Sequence, residues 1–177
     1  MTQQINLVAP PACRIGGLAW IPNEHGEILT VRANYGSKAG YHQLPGGHAG
    51  DNEPNLAAMI NHTRRETGIT PVPVRLLGID WVPGNPDEAQ PAAMGQNFVY
   101  QCSAVHSTAD LRLPPAPDGG ELELSGYAWV GPDTARTCMR PYQHRRFLGM
   151  WNAWKNGTTA VLQDGRPVLG GSRGVEL

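Results

Sequence analysis

The stretch Leu44 to Ile69, LPGGHAGDNEPNLAAMINHTRRETGI, constrains this chain more than any other. It opens on a Leu-Pro-Gly-Gly loop, where Gly46 and Gly47 permit a backbone path that a Cβ would block. Pro54 suits the first position of a helix, because its missing N–H has no partner there anyway. Leu56, Met59, Ile60 and Thr63 then recur at i, i+3, i+4 and i+7, which predicts one core-facing stripe. Gly68 supplies the stop.

The flanks alternate strand and turn signals. Arg14 to Ile21 reads as a buried strand, and the turn Pro22 to Gly26 joins it to a second strand over Glu27 to Arg32, so the pair predicts a hairpin. Further strands are expected over Val72 to Trp81, Asn97 to Val105 and Glu121 to Val130. Pro83 to Met94 and Pro114 to Gly120 read as surface loops. A second helix follows Pro141, with Phe147, Met150, Trp151 and Trp154 at helical spacing, and Asn156-Gly157 ends it. A closing hairpin fits Ala160 to Leu162 and Pro167-Val168 around Asp164-Gly165. Residues 1–12 form a lead-in and 171–177 a tail, flanking one domain over 13–170. Strands interleaved with two helices give an α/β fold, with a mixed sheet between helices.

The bulk properties mainly exclude. A net charge of -1 argues against a broad electrostatic grip on nucleic acid. No apolar run approaches the roughly 20 residues of a membrane span, and no signal peptide is visible. Cys13, Cys102 and Cys138 show neither zinc-like spacing nor a disulfide framework. The expectation is a cytoplasmic protein, with Cys102 buried and inert.

The spacing of the 44–69 stretch resembles the Nudix box, G-x5-E-x7-R-E-U-x-E-E-x-G-U, where U is bulky and apolar. Gly47 leads to Glu53, and the rest aligns with Asn61-His62-Thr63-Arg64-Arg65-Glu66-Thr67-Gly68-Ile69. The Leu-Pro-Gly-Gly and Arg-Glu-Thr-Gly-Ile flanks strengthen the match. The resemblance implies an α/β/α sandwich, cleavage of a diphosphate in a small nucleotide-like metabolite, and magnesium or manganese held by glutamates of the box helix. Hard divalent ions want oxygen ligands, and they neutralise phosphate charge.

This chain departs from that pattern where the metal should sit. Asn61-His62 replaces Arg-Glu, Arg65 replaces the first glutamate of the later pair, and Gly50 stands where a further glutamate is frequent. Glu66 remains, with Glu53 upstream. A fixed positive charge ~4 Å from a cation costs on the order of 4 kcal/mol per unit charge at an effective dielectric of about 20. Metal binding is therefore expected to be weak, altered or absent.

Three readings follow. A metal binds through Glu66, Glu53, His62 and Glu123; His62 and Glu66 sit at i and i+4, and a mixed imidazole–carboxylate site favours zinc or manganese over magnesium. In the second, Arg65 and His62 take the metal's place and hold an anionic substrate. In the third, the box is a structural remnant in a tailoring enzyme or ligand-binding module.

Each candidate also has a plainer reading. His62 and Glu66 make an ordinary helix pair, His48 a solvated loop residue, and Glu123 a polar outer face. Arg14 and Arg32, in the first two strands, would meet an anion or else lie on the surface. Tyr41 would stack on a substrate ring, as would Trp20, Trp81, Tyr100 or Trp129, which otherwise serve the core. The family habit of dimerising implies a homodimer, for which the aromatic late helix offers a face, although core packing is its simpler use.

Overall fold

The computed structural model describes residues 12–85, 91–105, 109, 111–115 and 122–168. The lead-in up to residue 11, Glu121 and the tail from residue 169 lie outside the described residues.

Among the described residues nine strands form two sheets. The larger has the order β4 (Gly46–His48), β1 (Cys13–Trp20), β6 (Met94–Cys102), β5 (Pro73–Val82), β8 (Ala160–Gln163), β9 (Arg166–Pro167). It is mixed: β1 runs parallel to β6 and β5 parallel to β8, while the other pairs are antiparallel. The smaller sheet is antiparallel, with β2 (Ile28–Ala33) between β3 (His42–Gln43) and β7 (Leu124–Val130).

The strand period decides where the helices go. Ala19 and Ile21 point to one side, into an apolar cluster with Met59 of helix α1 (Asn55–Thr67). Trp20, one residue out of phase, points to the other and packs with Phe147 and Met150 of helix α3 (Pro141–Lys155). Its ring lies 5.0 Å from that of Phe147, with Trp151 and Trp154 at 6.3 and 6.1 Å. The mixed sheet thus lies between α1 and α3, as the element order predicts.

Several expectations need correction. The two first strands are joined by hairpin bonds, Leu29 N–H to the Ile21 carbonyl and Asn23 N–H to the Glu27 carbonyl. They then diverge, one into each sheet, so the pair is a corner and not a simple ladder. The buried face of α1 is Ala58, Met59, Thr63, Glu66 and Thr67, while Leu56 is exposed. Its stripe is turned toward the Gly46–Gly47 loop, and a carboxylate occupies a core-facing position. A short helix α2 (Pro132–Cys138) was not foreseen: it has Pro at its start but buries only Ala135, so it leaves no periodic apolar signal. In the stretch after β5, Asn85 is bridged to Ala92, so these two residues of the expected loop are paired. Strand β7 begins at Leu124, and Glu123 immediately precedes it.

Candidate active site

The pocket is built on Glu66, near the C-terminal end of α1. Its side chain is 4% exposed, and Oε2 accepts the Gly46 N–H at 2.9 Å. That bond requires the loop backbone to turn inward at Gly46, where φ is 132° and a Cβ would lie 2.2 Å from the Gly17 carbonyl oxygen. Only glycine satisfies both demands. Burial pushes the Glu66 carboxyl up to about 7; the Gly46 bond pulls the other way, and the Glu123 charge adds to the rise.

His62 lies one turn earlier on the same helix face, against Gly47, where a Cβ would approach its ring to 2.5 Å. Arg65 Nη2 sits 2.9 Å from His62 Nδ1, and His62 Nε2 sits 3.1 Å from the His48 carbonyl. A guanidinium only donates, so Nδ1 accepts, and the proton on Nε2 goes to His48. Both ring nitrogens are thereby engaged. The His48 ring repeats the arrangement: its Nε2 is 3.1 Å from Arg14 Nη1, and Arg14 Nε donates to the Ala93 carbonyl at 2.8 Å. Burial and the neighbouring Arg14 hold His48 below the usual histidine range.

These residues line a cavity of about 370 Å³. Its other walls bring Tyr35, Lys38, Glu123, Tyr142, Gln143 and Arg146, from β3's approach, β7's approach and α3. Burial, then the charges of Arg146 and Arg14, hold the Lys38 ammonium below its ordinary range. Among the described residues of the lining, four side-chain cations, Arg14, Lys38, Arg65 and Arg146, thus face two carboxylates, Glu66 and Glu123. Among the described residues none of the first three cations has a carboxylate within ion-pair distance, and only Arg146 is paired, with Asp80.

The structure brings together Glu66, His62, Arg65, His48, Arg14 and Glu123 of the sequence candidates. Three fall outside the cavity. Glu53 accepts the Gly50 N–H at 2.9 Å and the Asn61 amide at 3.2 Å, bonds that hold its carboxyl below the usual range and tie the loop to α1. Arg32 donates to the Gly40 carbonyl on the exposed side of β2, and Tyr41 is exposed beside it. Lys38 and Arg146 went unforeseen. Lys38 sits in a Gly-rich loop without periodicity, and Arg146 on a helix that reads only as an aromatic stripe. Trp20 serves the core, as its plainer reading has it, and burial lifts the Cys102 thiol to about 12, in keeping with an inert cysteine.

Solved structures share this architecture. The MutT protein of Methanosarcina mazei Go1 matches with TM-score 0.62 and 24% identity, covering 83% of this chain and 96% of that one. A MutT NUDIX hydrolase of Burkholderia pseudomallei gives 0.57 and 23%, covering 75% and 93%. An ADP-ribose pyrophosphatase of Streptococcus suis gives 0.55 and 15%, covering 85% and 98%. At these identities the likeness is one of fold. No curated protein matches the chain. The NUDIX domain model matches residues 14–149, most of the sequence and all of the pocket's elements from β1 into α3, and the chain therefore belongs to the Nudix family.

Proposed function

We propose that this chain cleaves the diphosphate link of a small, nucleotide-like or otherwise phosphorylated metabolite, with side-chain cations neutralising the phosphate charge that a divalent ion neutralises elsewhere in the family. Fold neighbours named as an ADP-ribose pyrophosphatase and an Ap4A hydrolase support the substrate class. The observation that carries the reading is the Arg65–His62 bond at 2.9 Å. It puts a guanidinium on the box face of the pocket and consumes the imidazole lone pair that a metal would need.

The donor set fits a divalent ion poorly. Magnesium and manganese want several oxygen ligands. Glu66 offers one free oxygen, since Oε2 is held by Gly46. His62 offers none, and Glu53 is engaged outside the cavity. Among the described residues no three His, Cys, Asp or Glu side chains are grouped to hold a metal. Arg14, Lys38 and Arg65 can instead meet phosphate oxygens with charge-assisted hydrogen bonds. Glu66, poised at about 7, is suited to take a proton from an attacking water as the bond from phosphorus to the leaving oxygen breaks.

A release assay over nucleoside diphosphates and sugar nucleotides tests this, run with magnesium, manganese, zinc or a chelator. Turnover that survives chelator and disappears in Glu66→Gln supports the proposal. Turnover that requires a metal contradicts it. Thermal stabilisation by a metabolite that is never cleaved would favour the binding-module reading.

A further inference from the structure

The α3 wall of the cavity carries a feature that no part of the box explains. Arg146 of α3 is 7% exposed, and its Nε donates to Asp80 Oδ2 at 2.6 Å. Asp80 is fully buried on β5, and its other oxygen, Oδ1, accepts the Gly165 N–H at 2.9 Å. Gly165 lies in the β8–β9 turn, which Arg145 and Arg166 fasten through Asp164 at 2.5 and 2.8 Å. The turn presses so closely on α3 that a Cβ at Gly165 would stand 2.7 Å from the Arg146 backbone nitrogen. One oxygen of Asp80 is therefore committed to Arg146 and the other to the turn that packs against it.

A buried ion pair made only for stability is a poor bargain, since an apolar pair of the same volume often does as well. This one leaves a pattern with another use. Among the described residues Nε is the one atom of the Arg146 side chain with a hydrogen-bond partner, and neither terminal nitrogen is a fully buried atom left without one. Two parallel N–H donors thus remain on a side chain that lines the cavity, with Lys38 and Tyr142 on the same cavity lining. The Arg146 guanidinium also lies over the Tyr142 ring, 5.5 Å from its centroid, which further limits its rotation. A planar fork held at Nε and free at its tips is the geometry that takes an oxyanion bidentately.

We infer that Arg146, oriented by Asp80, forms a second oxyanion subsite on the α3 wall, so that the ligand is a polyanion gripped from two sides: by Arg65 and Arg14 on the box side, and by Arg146 with Lys38 opposite. The inference rests on the anionic-ligand reading above and adds where the second anionic group sits. Arg146 is a binding residue and Asp80 a positioning residue.

Inorganic pyrophosphate in the presence of chelator is the probe, with binding measured by calorimetry on the full chain and folding checked by thermal melts. Arg146→Lys keeps a charge for Asp80 but loses the fork, so it should fold and bind pyrophosphate roughly tenfold more weakly. Arg146→Gln tests the same point without the charge, and Arg65→Gln should weaken binding independently. A folded Arg146→Lys that binds as the wild type does overturns the subsite; if Arg65→Gln still weakens binding, the box-side reading survives. Wild-type protein that does not bind pyrophosphate at all overturns both.

Discussion

Arg65 Nη2 donates to His62 Nδ1 at 2.9 Å, across one turn of α1, on the face where a Nudix box ordinarily presents carboxylates. The pair is self-consistent: the guanidinium fixes the imidazole tautomer, and the imidazole steers the guanidinium along the pocket wall. Gly47 completes it by leaving room for the ring.

That packing makes a double-mutant cycle informative. Gly47→Ala places a methyl 2.5 Å from the His62 ring, although the backbone there needs no positive φ. It should cost about 1–3 kcal/mol through overpacking alone. In a His62→Ala background most of that cost should vanish, so the two changes should couple strongly in denaturant unfolding. Additive effects would mean that the ring does not rest on Gly47.

Glu66 links stability to pH. Its folded value of about 7 stands above the 4.5 of a free glutamate, so the folded state binds the proton more tightly. The contribution is fully present below 4.5 and is lost as pH rises through 7. Between about pH 4 and about pH 8 the wild type should lose on the order of 3 kcal/mol relative to Glu66→Gln. Stability curves that run parallel for the two proteins would refute the raised value. Because the same carboxyl is the proposed proton acceptor, turnover should climb through neutrality in the wild type.

Asp80 and Arg146 are coupled through burial. Asp80→Asn leaves the guanidinium with a neutral partner in a site that excludes water, and should destabilise by about 3–5 kcal/mol. The double change Asp80→Asn with Arg146→Met should recover part of that loss while leaving pyrophosphate binding impaired. Recovery of binding in the double variant would assign the pair a structural task only.

Much of this was legible in the chain. The longer strands, helices α1 and α3, the helix stop at Gly68 and the need for glycine at Gly46 follow from periodicity and local sterics, whereas the short β3, β4 and α2 leave no such signal. The shortage of carboxylates on the box face is legible as well, being a matter of residue type. What the sequence did not show is how the side chains are spent. Glu53 matches the box by position but turns to Gly50 and Asn61, because those donors are nearer than the cavity. Lys38 and Arg146 come from a loop and a late helix, and only tertiary packing brings them to the Glu66 pocket. The inward turn of Glu66 was hidden because a carboxylate in a core-facing position breaks the apolar stripe on which the helix reading relied.

Titrating the protein with manganese while recording the free-ion electron paramagnetic resonance signal tests the central claim most directly. The account predicts that wild type leaves the ion free across the micromolar range, whereas the double variant His62→Glu, Arg65→Glu captures it. Stoichiometric capture by the wild type, abolished in Glu66→Gln, would contradict it.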